Sequence, residues 1–132
     1  MSEHPAVTFL LAAHAEAERC ATTASDGQGW WLISPRAADH RSVVEYVIEG
    51  ERGPVTHIDV DEHEPEAHLA EALLIQSNRP GSVLRRIEAE REILAACRAV
   101  LAEDGWEYTD APELAEVVTA GLAEAWGWEA ET

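Results

Sequence analysis

The chain has 132 residues, 46% of them hydrophobic, enough for one compact domain with a real core. It carries 26 acidic residues against nine basic ones, for a net charge of −17, and all nine basic residues are arginine. That charge repels phosphate backbones and argues against direct nucleic-acid binding, whose affinity rests on basic neutralisation of phosphates. No apolar run approaches the length of a membrane span and the N-terminus lacks a basic signal-peptide start, so a cytoplasmic protein without membrane contact is expected.

In chain order, Pro5 suits a helical first turn, and Phe9, Ala13, Ala17 and Cys20 follow at helical spacing, with Leu10 and Ala21 beside them. A helix over 5–22 is predicted. Strands are predicted over 30–34, where Trp30-Trp31-Leu32-Ile33 is stopped by Pro35, and over 42–49 and 54–60. Gly50-Glu51-Arg52-Gly53 suits a hairpin between the last two. On the third strand Val55, His57 and Asp59 share one face, opposite Thr56, Ile58 and Val60.

The rest is helical. A helix over 64–77 carries Leu69, Leu73 and Leu74 as its apolar stripe, and one over 82–102 carries Val83, Ile87, Leu94 and Leu101. On the latter's other side Arg85–Glu88, Arg86–Glu90 and Glu88–Arg91 are spaced to pair. A last helix over 111–127, capped by Asp110 and opened by Pro112, carries Leu114, Val117, Val118, Leu122 and Trp126. The fold expected is a single α+β domain over 1–132: a small three-stranded antiparallel sheet covered by about four helices, with a helix-rich C-terminal half.

The block His68-Leu69-Ala70, with Pro80, Val83, Leu84, Arg85, Ile87, Glu88, Ala89, Arg91, Ile93 and Leu94, resembles a family of small actinobacterial and actinophage proteins of unknown function. Their helical block reads roughly H-I-A-R-H-D-P-A-R-V-L-R-E-V-E-A-K-R. The early Phe9-Leu10 helix and Trp30-Trp31 match in order, so the likeness spans about residues 5 to 98. Arg79 stands where the family has a helix-capping Asp, Glu90 stands where it has Lys, and five residues are added between Ala70 and Asn78. The resemblance implies a fold pattern and an actinobacterial or phage origin, with no mechanism attached; Arg85, Glu88 and Arg91 are its candidate functional surface, or else a solvated face of ion pairs.

Three functional readings follow. The first is a non-catalytic protein acting by protein–protein interaction or self-association, with Trp106, Trp126 and Trp128 as interface anchors, since Trp is enriched in interfaces; the alternative role for these residues is to clamp the last helix onto the body. The second is a nucleic-acid mimic that inhibits a DNA-binding protein by filling its basic groove. The third is a metal-dependent hydrolase using His57, Asp59, His63 and His68, whose spacing matches no established metal signature. Asp39-His40 offers a conceivable general base. Cys20 and Cys97 are expected on apolar helix faces as inert thiols, no phosphate-binding or nucleophile-elbow motif occurs, and no cofactor is expected.

Overall fold

The computed structural model describes residues 3–25, 29–38, 42–61, 63–103 and 109–130. Their elements run α1 (Pro5–Ala24), β1 (Trp31–Ala38), β2 (Ser42–Gly50), β3 (Gly53–Asp59), α2 (Pro65–Ser77), α3 (Pro80–Ala102) and α4 (Ala111–Ala125). This is the expected α+β fold, with one antiparallel sheet in the order β1-β2-β3. The chain divides into two compact units: a central one, Arg19–Leu84, and a terminal one, Met1–Glu18 with Arg85–Thr132.

In the central unit the fully buried Ile48 sits on β2, the middle strand, paired with Ile33 on β1 and Thr56 on β3. Gly50 pairs with Gly53, leaving Glu51-Arg52 as the hairpin loop. β1 runs through Pro35 to Ala38, beyond the predicted stop. It is an edge strand, bonded only to β2, where proline is best tolerated. Trp30 precedes the strand and is exposed, while Trp31 is half-buried with its indole against Gly50. The Glu51 carboxylate accepts the backbone N–H groups of Gly29 and Trp30 and the Ser25 hydroxyl, fastening the approach to β1 onto the hairpin loop.

Helix α2 packs across all three strands, and Gln76 donates to the Trp31 carbonyl at 3.0 Å. It does so in an unexpected orientation. The buried residue of α2 is Ala72, whereas Leu69, Leu73 and Leu74 are exposed, Leu74 to 67%. The break after α2 is closed by Ser77 and Asn78, whose side chains both donate to the Leu74 carbonyl. The chain then enters α3. That helix starts at Pro80, two residues earlier than predicted, with the Arg79 carbonyl accepting from Ser82 and Val83. Proline at the first helical position has no N–H to leave unpaired.

The terminal unit packs the N-terminal part of α1 with α3 and α4. Its core is Ala6, Val7, Leu10, Leu94 and Ala123, flanked by Phe9, Leu122, Trp126 and Trp128. Burying a leucine such as Leu10 or Leu94 contributes about 1.5–3 kcal/mol. The inward side of α1 is Ala6, Val7, Leu10 and His14, one position off the predicted Phe9-Ala13-Ala17 stripe; Cys20 is exposed, contrary to expectation, and Cys97 is buried. α4 is also turned from the predicted orientation. It buries Ala115, Thr119 and Ala123 and leaves Leu114, Val117 and Val118 exposed. Small residues at four-residue spacing let helix backbones approach closely, which bulky ones would prevent.

Asp110 makes no side-chain cap on α4, so the predicted capping bond is absent. The other end is closed firmly. Gly127 adopts φ 101°, its N–H reaches the Glu124 carbonyl, and the Trp128 N–H reaches Ala123. This paired closure turns Trp128 back against the core beside Ala123, as such glycine-ended helices do.

Candidate functional site

Within the terminal unit, three helices each place a polar or aromatic side chain around one carboxylate. Glu90 lies on α3 and is only 7% exposed, while His14 on α1 is fully buried. Trp126, at the end of α4, donates its indole N–H to Glu90 Oε1 at 2.7 Å, and His14 Nε2 lies 3.3 Å from the same oxygen. Arg86, one turn before Glu90, donates Nε–H to Oε2 at 2.7 Å. Its guanidinium stacks 4.4 Å from the Trp126 ring centre, and the His14 ring meets that indole edge-on at 5.4 Å. Cation–π and edge-to-face contacts of this kind add to the direct hydrogen bonds.

Burial pushes the Glu90 carboxyl up, but hydrogen bonds from Trp126, Arg86 and His14 more than offset it, holding the group below the usual carboxylate range. Glu90 is therefore ionised at neutral pH and can only accept. The His14 nitrogen facing it must then carry a proton. Nδ1 is buried and has no hydrogen-bond partner among the described residues. A fully buried imidazole cannot meet a substrate, so the arrangement is suited to holding helices in register.

The sequence pattern misplaced Glu90 and passed over His14. Arg86 and Glu90 do pair as predicted, but Glu90 faces inward, at the spacing of the buried Ile87, Leu94 and Cys97, and not outward with the solvated charges. His14 similarly continues the Val7–Leu10 spacing. The signal was present: a charged residue and a histidine each fall in step with a helix's apolar stripe.

Trp126 and Trp128 are half-buried; the first is bonded to Glu90, and the second packs on the core, 6.2 Å from the His4 ring. Trp106 and Asp39-His40 lie outside the described residues. Arg85 and Glu88 are exposed, and Arg91 is tied to Glu18 of α1. On the sheet, His57 and Asp59 are exposed and pair with Val47 and Glu45. His63 is exposed, its backbone N–H bonded to Asp61, and His68 Nδ1 stands 3.6 Å from Glu71. Among the described residues no three His, Cys, Asp or Glu side chains gather as a metal ion would require, and no helix is long and apolar enough to cross a membrane.

Fold and cluster together define a small α+β protein in which a buried carboxylate knits helices together. The chain belongs to the DUF6221 family, a family of unknown function, whose pattern matches residues 3–127. No curated protein and no solved structure matches it.

Proposed function

We propose that the protein is a non-catalytic binding module of the cytoplasm that acts by docking on another protein. The observation that carries this reading is the orientation of α2 and α4. Both turn small residues inward, Ala72 on one and Ala115, Thr119 and Ala123 on the other, and both hold bulky ones outward. Leu114 is 62% exposed and Val117 68%. A lone exposed leucine is ordinary, but a helix with its bulky apolar side in solvent marks an interaction surface. The docking residues of this reading are thus Leu69, Leu73, Leu74, Leu114, Val117 and Val118, in place of the tryptophans. The all-arginine basic set and the family resemblance support an actinobacterial or phage origin.

The experiment is affinity capture from an actinobacterial lysate by the whole chain, beside a variant carrying Leu73→Ser, Leu74→Ser, Leu114→Ser and Val117→Ser. A discrete protein held through a high-salt wash by the native chain and lost by the variant supports the reading. An identical pattern for both proteins contradicts it. Release of a nucleic-acid-binding protein as salt rises, unaffected by the substitutions, favours the mimic reading based on the −17 charge.

A further inference from the structure

Helix α4 carries Leu114, Val117 and Val118 on one exposed side. Gly121 continues that line one turn on, and a Cβ there would meet nothing within 4 Å. The helix thus presents an apolar ridge running into an open step. One flank of the ridge is acidic: Glu113 and Glu124 are exposed beside it, and no basic residue follows Arg98 in the sequence. Arg98, which lines a groove with Glu116, is engaged by Glu3 at 2.6 Å.

We propose that this ridge docks a basic amphipathic helix of a partner protein, its apolar side on Leu114, Val117 and Val118 and its Arg or Lys flank against Glu113 and Glu124. The inference rests on the binding-module reading and names its surface and partner chemistry. Charge selects this occupant. A second copy laid ridge to ridge would bring two acidic flanks together, on chains of −17 each, whereas basic flanks turn the same contact attractive. Helix-on-helix docking needs only anchors at three- and four-residue spacing, which Leu114, Val117 and Val118 supply.

The test uses the whole chain and two fluorescent synthetic peptides of identical leucine–lysine composition, one patterned as an amphipathic helix and the other scrambled. Native protein is expected to bind the patterned peptide at least about tenfold more tightly than the scrambled one. Leu114→Ser/Val117→Ser should lose about tenfold or more, as expected when two apolar anchors are removed. Leu73→Ser/Leu74→Ser on α2 should stay near the native affinity. These exposed substitutions leave the core intact, and circular dichroism confirms folding for each. Loss only in the α2 variant overturns the choice of surface while leaving the binding-module reading standing. Equal binding of both peptides overturns the proposal in favour of plain charge attraction, and binding of neither overturns the partner chemistry. A dimer in sedimentation that Leu114→Ser/Val117→Ser dissolves overturns it in favour of a second copy.

Discussion

Trp126 and Glu90 are joined by a 2.7 Å hydrogen bond from the indole N–H to a nearly buried carboxylate, linking the end of α4 to the middle of α3. Since α4 turns mostly small residues inward, this bond and the packing of Trp126 and Trp128 do much of the holding that leucines do elsewhere. Substitution of Glu90 by Gln removes the charge and turns one acceptor into a donor facing the indole or the guanidinium. A loss of about 1–3 kcal/mol is expected, read as a lower midpoint in chemical denaturation. Trp126→Phe, which deletes the donor and keeps much of the ring, is expected to lose about 1–2 kcal/mol.

His14 behaves differently although it is the more buried of the two. Its bond to Glu90 is long, at 3.3 Å, and its Nδ1 has no partner among the described residues. Replacing it with Leu removes an unsatisfied nitrogen along with a weak bond. The expected change is below about 1.5 kcal/mol, smaller than for Glu90→Gln, in the same denaturation series.

Acid weakens the Glu90 cluster in a defined direction. The folded carboxyl titrates below its unfolded value, so its stabilisation is complete above the unfolded value and disappears as pH falls through the folded one. The stability difference between the native protein and Glu90→Gln should be constant near neutrality and shrink in that acid range. Taking the difference cancels the relief of repulsion among the other carboxylates. A gap unchanged down to the unfolding limit would contradict the assignment.

In the central unit, Gly29 is held at φ +65°, and an added Cβ would lie 2.5 Å from the Gly81 backbone nitrogen, whose N–H bonds to the Gly29 carbonyl at 2.8 Å. Gly29→Ala therefore meets both an unfavourable backbone conformation and a rigid clash. A loss of at least about 1–3 kcal/mol is expected in thermal unfolding.

Exposed and buried leucines should part sharply. Leu10→Ala opens a cavity in the terminal core and is expected to cost about 2–5 kcal/mol. Leu114→Ser, at a site 62% exposed, should stay within about 0.5 kcal/mol. A large loss at Leu114 would mean that the ridge is structural.

The sequence by itself determined the elements and their order, because periodicity, prolines at helix starts and glycine-bounded strands are local signals. The hairpin at Glu51-Arg52, the break after Ser77 and the start of α4 at Ala111 were all legible in this way. Which side of a helix faces inward was decided only by the tertiary structure. Hydrophobicity favoured Leu114, Val117 and Val118 on α4 and the leucines of α2, yet packing selected Ala115, Thr119, Ala123 and Ala72. Close helix approach depends on the size of the residues between backbones, and size complementarity belongs to a pair of surfaces. The same holds for Glu90 and His14, which look out of place in an apolar stripe. Only donors from α1, from α4 and from Arg86 on its own helix make a carboxylate tenable there, and their convergence exists only after the chain has folded.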